Sequence, residues 1–244
     1  MQNLLRIVAS ATPKANWGAW IYWALCLMVM VGAVEFFFPA LIPYEFAELW
    51  ETRGEPMDWL KASTPILAWA AGFTLLVSLF TRNSHSQNIF AERYLASGLW
   101  LSLRAGVMEE IVFRWLIFMW AIACVRVGDF ILGGFAFGHG LVWWINAHIL
   151  MPIADFTSLG LLNPVFMQSA WFIGAAVIVA NVKFRDGHKY QGLFGLINSW
   201  FIGLYFFYLM FAFGLKAAIL VHFVYDAIIF TIRYLDSVIE RRRS

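Results

Sequence analysis

The sequence predicts an all-α membrane protein, a polytopic bundle of about seven or eight transmembrane helices that encloses a polar cavity. Of its 244 residues, 62% are hydrophobic and 13% are charged, whereas a soluble domain has about 45–50% apolar and about 25% charged residues. The mean hydropathy is +0.72. Helices are expected to make every crossing, because lipid offers no hydrogen-bond partner to an open strand edge. A cavity is expected because ionisable side chains interrupt the apolar runs.

Seven apolar runs are long enough to cross a membrane, which takes roughly 20 residues per helix. They cover residues of about 17–42, 60–80, 94–126, 130–150, 165–182, 193–213 and 216–235. We expect an N-terminal region with two transmembrane helices (1–92), a membrane-embedded core (93–236) and a basic tail (237–244). Cys26 and Cys124 both lie inside apolar runs and indicate neither a disulfide nor a metal site.

Positive charges near the ends of the runs predict the orientation in the membrane. Arg6 and Lys14 precede the first run, and three arginines at 241–243 follow the last one. Both termini are therefore predicted to be cytoplasmic, which requires an even number of crossings, whereas seven is odd. Either the long run 94–126 crosses more than once, or a weaker segment is re-entrant. The arginine tail is expected to contact lipid headgroups of the bilayer, and no nucleic-acid partner is implied.

Two adjacent carboxylates and an arginine lie in the middle of the third run, within the stretch MEEIVFRW. Glu110 and Arg114 are four residues apart, so on a helix they share a face and can pair. Glu109 points about 100° away from Glu110 and has no obvious helical partner. Because an ionised carboxylate at mid-membrane costs a few kcal/mol, Glu109 must face water, be protonated or meet a cation from another helix. The alternative is a structural ion pair that holds helices together.

The last run contains a second polar pair, His222 and Asp226, again four residues apart. Taken alone, this pair is equally compatible with a histidine held by a helical neighbour for packing. His139, His148 and His188 are the candidates for a third member of the site. One glutamate and histidines from two other helices can act as general acid and base on water, or can hold a metal with an open coordination position.

The stretch EEIVFR, residues 109–114, resembles the EExxxR signature of the CAAX prenyl endopeptidase and bacteriocin-processing (CPBP, or Abi) family of intramembrane proteases. The family's third signature, HxxxN or HxxxD, is similar to residues 222–226, and the preceding GLKAAILVH is similar to the usual approach to it. The resemblance covers roughly residues 93–236. EExxxR alone is a weak pattern, whereas three motifs in this order inside predicted spans are quite specific.

The second family signature, FxxxH, fits both residues 135–139 and residues 184–188. We favour His188, because the Asn181 segment before it is similar to the family's lead-in and because residues 189–221 accommodate a turn and one crossing. From His139, two extra crossings would be needed. The preference for His188 implies an inserted helix pair around 130–182. The polar flank KFRDGHK indicates that His188 lies near the membrane surface, at the mouth of the cavity.

The resemblance implies a role for each residue of the first two motifs. Glu109 would be the general base that activates water, helped by His188. Glu110 would pair with Arg114 and hold the helix and the cavity in shape.

The third motif implies a wall of the site that steadies the oxyanion of the tetrahedral intermediate, formed by His222 and Asp226. The family often has Asn at the second of these positions, whose NH2 can donate to an oxyanion, whereas an ionised Asp226 would repel it. Asp226 is therefore expected to be protonated, to orient His222, or to bind a metal. A zinc-dependent version would place Zn²⁺ among Glu109, His188 and His222, and the favoured version is metal-free and needs no cofactor.

Two hypotheses about function follow. The first is an intramembrane endopeptidase that cleaves a peptide bond in a membrane-associated protein or peptide, either lipidated or leader-bearing. The second is a non-enzymatic scaffold, partner subunit or small transporter, in which the buried charges form ion pairs or a proton path. Transporters tend to contain two halves with matching helices that Gly or Pro interrupts, and no such halves are visible here. Replacing Glu109 with Gln distinguishes the two hypotheses.

Overall fold

The computed structural model describes residues 17–81, 95–168 and 172–241, and these ranges form helices joined by turns, without a strand. The predicted all-α class is therefore confirmed. Five helical segments are long and apolar enough to span a membrane: Gly18–Phe37, Pro56–Val77, Leu95–Phe137, Lys189–Phe213 and Leu215–Ile239. The expected count of seven or eight is not confirmed. Four of the charges that predict the orientation, Arg6, Lys14, Arg242 and Arg243, lie outside the described residues, as does the expected boundary at residue 92.

The helices, in chain order, are α1 (Trp17–Phe37), α2 (Pro56–Thr81), α3 (Leu95–Glu109), α4 (Phe118–Asp129), α5 (Phe135–Phe137), α6 (Leu141–Ile145), α7 (Met151–Thr157), α8 (Asn163–Gln168), α9 (Ile173–Gly187), α10 (Gly192–Phe213) and α11 (Leu215–Arg241). Three π-helical stretches connect or extend them: Glu110–Ile117 joins α3 to α4, Phe130–Gly134 follows α4, and Asn146–Leu150 joins α6 to α7.

The third apolar run forms one helical rod from α3 through the π-helical stretch Glu110–Ile117 into α4. At 1.5 Å per residue, such a rod is about 50 Å long, which exceeds the roughly 30 Å hydrocarbon thickness of a bilayer. The backbone of this run does not turn back on itself, so the hypothesis that residues 94–126 cross the membrane more than once loses its support.

The next two predicted spans are divided into shorter helices. Within 130–150, Gly133 and Gly138 have φ angles of 110° and 80°, a region that side chains with a Cβ rarely adopt, and the helix breaks there. Residues 165–182 correspond to the end of α8 and most of α9, and α9 has only 15 residues.

A buried carboxylate holds the segment after α4 in place. The Asp129 side chain accepts hydrogen bonds from the backbone N–H groups of Gly140 (2.9 Å) and Trp143 (2.6 Å). These N–H groups belong to the first turn of α6, where a helix leaves its donors without partners. Asp129 therefore caps α6 from a distance and fixes the path of the chain between the two helices.

The last two helices form a hairpin around Gly214, whose φ of 95° suits glycine. The two helices are antiparallel, because the Phe206 ring of α10 packs against both His222 and Tyr225 of α11. The loop before α2 closes this end of the hairpin, where Arg53 donates from its backbone N–H to the Phe213 carbonyl (3.1 Å). His222 lies eight residues past the hairpin turn, about 12 Å along α11, and is thus near the middle of a span.

Small residues on α3 allow α11 to approach closely. Gly98, Ser102 and Gly106 recur every fourth residue and are buried. A Cβ on Gly106 would lie 3.0 Å from the backbone nitrogen of Phe223, so the two backbones are nearly in contact at that level. Small residues at this spacing are typical of tightly packed membrane helices. One helical turn beyond this contact, α3 ends at Glu109, and Glu110, the first residue of the π-helical stretch, contacts His222.

Candidate functional site

The Glu110–Arg114 pair predicted from the sequence forms in the structure. Arg114 Nη1 lies 3.4 Å from Glu110 Oε1, and both side chains are fully buried. They belong to the π-helical stretch Glu110–Ile117, and such wider turns occur frequently at functional sites. Burial of both charges is tolerable only because each is the other's counter-ion.

A histidine from another helix shares the Glu110 carboxylate. His222 Nδ1 lies 2.7 Å from Glu110 Oε1, and since a carboxylate only accepts, the ring nitrogen is the donor. The imidazole stacks on the Phe206 ring with centroids 4.4 Å apart and an interplanar angle of 20°. The sequence predicted the contact between Glu110 and Arg114 only. The hydrogen bond between Glu110 and His222 of α11 was not predicted.

Aromatic rings surround the guanidinium of Arg114. Its Cζ lies 3.9 Å from the centroid of Phe184, with Phe206 at 5.4 Å and Phe207 at 5.6 Å. One nitrogen, Nη2, donates to the Gly203 carbonyl at 3.4 Å. A desolvated cation over an aromatic face gains about 2 kcal/mol or more. The rings therefore supplement Glu110 in compensating the buried charge.

Asp226 lies on the other side of His222. Its Oδ2 is 3.7 Å from His222 Nε2, which is longer than a hydrogen bond. The Asp226 side chain is 22% exposed and the His222 side chain 5% exposed. The row Glu110, His222 and Asp226 therefore runs from the closed interior of the bundle towards a more open region.

Glu109 lies beside this row. It is half-buried, and its Oε2 atom has no solvent exposure and no hydrogen-bond partner among the residues that the structure describes. Its carboxylate lies within electrostatic range of His222 and Asp226. A buried carboxylate oxygen without a partner is costly for a folded protein, and this is the kind of atom that binds water, a proton or a substrate.

Among the candidate third histidines, His188 lies near one carboxylate of the site, that of Asp226. His188 lies directly after α9, within electrostatic range of Asp226, and its ring packs on Phe184 with centroids 4.7 Å apart. Its Nδ1 lies 2.9 Å from the Phe184 carbonyl. Since a carbonyl can only accept, Nδ1 carries the proton, and in the neutral ring Nε2 carries the lone pair.

The other two histidines have different surroundings. His139 is exposed and stacks on Trp143 at 4.5 Å, next to the helix break at Gly138. His148 Nδ1 lies 2.9 Å from the carbonyl of Trp144, on its own helix.

A partly exposed charge network flanks His188 on both sides in the sequence. The Lys189 ammonium (2.8 Å) and the Arg185 guanidinium (2.7 Å) both contact the Asp186 carboxylate. These two cations hold the pKa of the Asp186 carboxyl below its usual value. The polar flank that the sequence predicted at the membrane surface is thus a solvated ion-pair cluster at the end of α9.

Several residues of this site carried no signal in the sequence. Gly203 exposes the carbonyl that binds Arg114, and a Cβ at this position would overlap the Asn181 side chain. Phe206 and Phe207 are two of 24 phenylalanines and have no distinguishing pattern. Tyr190 lies within electrostatic range of Glu109 and Asp226. Phe184 differs from these residues, because its position in the FxxxH motif singled it out in the sequence.

The zinc-dependent version would use Glu109, His188 and His222 as ligands. Over the described part of the chain, no three His, Cys, Asp or Glu side chains are arranged to hold a metal ion. His222 has one carboxylate at each ring nitrogen, Glu110 at 2.7 Å and Asp226 at 3.7 Å. With Nδ1 engaged by Glu110, a metal at His222 would bind Nε2, on the side of Asp226.

The arrangement combines groups suited to proton transfer. Glu109 supplies a carboxylate oxygen without a partner, and His188 supplies an imidazole with a lone pair on Nε2. His222 is bracketed by two carboxylates, which favours a donating role for the ring. Comparison of the chain with protein-family models, curated proteins and solved structures gives no match.

Proposed function

We propose that this protein is an intramembrane endopeptidase that hydrolyses a peptide bond in a membrane-associated protein or peptide. The observation that carries the proposal is the Glu109 Oε2 atom, which is buried, has no hydrogen-bond partner among the described residues and lies within electrostatic range of His222 and Asp226. The resemblance to the CPBP family at residues 109–114 and 222–226 supports the same function.

In the proposed reaction, Glu109 removes a proton from water while the water oxygen bonds to the carbonyl carbon of the substrate. The resulting tetrahedral intermediate collapses when its C–N bond breaks, and the proton held by Glu109 passes to the leaving nitrogen. His188 assists the proton transfer through Nε2. His222 donates a hydrogen bond to the carbonyl oxygen of the substrate as that oxygen becomes negative. No metal takes part in this mechanism.

The Glu110–Arg114 pair has a structural role in this proposal. It fixes the π-helical stretch, and it links α11 to that stretch through His222. The five long apolar helices indicate a membrane protein, so substrates reach the site from the bilayer or from its surface. A lipidated or leader-bearing substrate fits that route. If the C-terminus lies in the cytoplasm, as its arginines predict, and α10 and α11 each cross once, the end of α9 at His188 faces the cytoplasm.

One observation favours a non-enzymatic scaffold as the second candidate. Arg114 and His222 both contact the Glu110 carboxylate inside the bundle, which is also what a purely structural ion cluster does. The two candidates differ in what they require of Glu109, because a scaffold has no use for its carboxylate.

The test compares membranes from cells that express the wild type, Glu109→Gln or the control Glu55→Gln. Glu55 is an exposed carboxylate at the start of α2. Mass spectrometry of new protein termini detects cleavage in any protein of the membrane, so the substrate does not have to be identified first. We expect a set of termini that requires the wild type, persists in Glu55→Gln and disappears in Glu109→Gln at equal protein level. The same termini in Glu109→Gln would contradict the proposal.

A chelator distinguishes the two forms of the protease. Purified protein is incubated with a peptide that spans a cleavage junction found by terminus mapping, with and without EDTA. We expect the same rate in both samples, and a loss of cleavage that added Zn²⁺ restores would favour the zinc-dependent version.

A further inference from the structure

A tyrosine from the turn between α9 and α10 lies at the candidate site. Tyr190 is half-buried in the turn Lys189–Gln191, and its ring stacks on His188 with centroids 6.2 Å apart and an interplanar angle of 26°. Its hydroxyl group lies within electrostatic range of Glu109 and Asp226. No motif in the sequence singled out this residue.

A neighbouring amide sets the direction of the Tyr190 hydroxyl group. Gln191 Nε2 donates to Tyr190 Oη at 2.9 Å, so the phenol oxygen is the acceptor in this bond, and a phenol can donate its own hydrogen as well. Gly195, one turn into α10, leaves the space that Gln191 occupies, because a Cβ there would lie 2.9 Å from Gln191 Oε1 and still closer to its Cβ. The orientation of the phenol is thus built into the start of α10.

The proposed hydrolysis needs a donor at this place. A tetrahedral intermediate carries a negative oxygen, which donors such as Tyr O–H or backbone N–H stabilise. Glu109 and Asp226 are acceptors when ionised, and an ionised carboxylate repels an oxyanion. Tyr190 supplies an O–H donor beside these two carboxylates.

We infer that Tyr190 is a catalytic residue of this site, whose O–H donates a hydrogen bond to the carbonyl oxygen of the substrate as that oxygen becomes negative. The proton stays on the phenol, so the bonds that form and break are those of the hydrolysis itself. Gln191 is a positioning residue that acts through Tyr190. This inference rests on the proposed function and adds a residue to its mechanism.

The test measures the cleavage of a fluorogenic peptide that spans a junction found by terminus mapping. Tyr190→Phe removes only the hydroxyl group, and Tyr22→Phe, at an exposed position on α1, is the matched control. Loss of one oxyanion donor lowers kcat about 100-fold or more. We expect that loss in Tyr190→Phe with KM changed less than about twofold and thermal unfolding unchanged, and wild-type kinetics in Tyr22→Phe. Wild-type kcat in Tyr190→Phe, or a change in KM alone, would overturn the inference.

A double variant tests the positioning role of Gln191. If Gln191 acts only by orienting the phenol, Gln191→Leu lowers kcat in the wild type and has no further effect in Tyr190→Phe. Equal losses in both backgrounds would overturn that role. A failure of the proposed function itself gives a different result, because Glu109→Gln would then cleave the peptide at the wild-type rate. If Glu109→Gln is inactive and Tyr190→Phe is fully active, only the inference about Tyr190 fails.

Discussion

Replacing Glu110 with Gln tests the buried ion cluster. The substitution keeps the shape of the side chain and removes its charge, so that Arg114 loses its counter-ion at 3.4 Å. The guanidinium keeps the Gly203 carbonyl at 3.4 Å and the rings of Phe184 at 3.9 Å, Phe206 at 5.4 Å and Phe207 at 5.6 Å, and none of these four groups carries a net charge. Removing one member of a buried ion pair costs about 3–5 kcal/mol, because the other charge stays buried. His222 keeps only a neutral amide oxygen in place of the charged carboxylate that accepts its hydrogen bond at 2.7 Å, so we expect a loss in this range.

The free energy of unfolding can be measured in mixed detergent micelles by the fluorescence of the 13 tryptophans. Asp186→Asn is the matched control, because it also converts an ion-paired carboxylate into an amide, but at a solvated position. Surface ion pairs contribute little, so this variant should unfold like the wild type.

The double variant Glu110→Gln/Arg114→Met tests whether the two buried charges stabilise each other. If the two charges depend on each other, the double variant is less destabilised than the sum of the two single variants by about 1–3 kcal/mol. Additive losses, or a Glu110→Gln variant within about 1 kcal/mol of the wild type, would show that the cluster does not hold the bundle together.

Three further substitutions test how the helices are fixed around the site. Gly203→Ala should destabilise the protein by about 1–3 kcal/mol in the same unfolding assay, because its methyl group would overlap Asn181. Asp129→Ala should free the first turn of α6, costing about 1–2 kcal/mol, and should raise hydrogen exchange in residues 130–145, whereas unchanged exchange would contradict the capping role. Asn146→Leu removes the acceptor that binds the Ala175 N–H at 2.8 Å and should cost about 1–3 kcal/mol, with wild-type stability as the contradicting result.

The sequence predicted the helical class and the positions of the helices that are long and apolar enough to cross a membrane. The first two runs, 17–42 and 60–80, correspond to α1 and α2, and the last two correspond to α10 and α11. Their length and hydropathy are sufficient evidence because a bilayer sets both. The run 130–150 has the same composition, yet Gly133 and Gly138 break it. Glycine is common in continuous membrane helices, so composition alone does not reveal such a break.

The candidate site was predictable where its contacts are local. The Glu110–Arg114 pair follows from a spacing of four residues along one helix, and the structure contains it. The contact between Glu110 and His222 joins residues that are 112 positions apart, and it depends on how α11 packs against α3. Periodicity along the chain carries no information about that packing. The aromatic side chains around Arg114 and the position of Tyr190 depend on the same packing, so they could not be predicted either.

If Glu109 activates water inside the bundle, the oxygen atom of that water enters the cleaved product. Labelling the water oxygen measures this step directly. Purified protein cleaves the junction peptide in water labelled with heavy oxygen, and mass spectrometry examines the new carboxyl terminus at an early time point. We expect one labelled oxygen in that carboxyl group for the wild type and no product for Glu109→Gln. An unlabelled new carboxyl terminus, or labelled product formed at the wild-type rate by Glu109→Gln, would contradict this expectation.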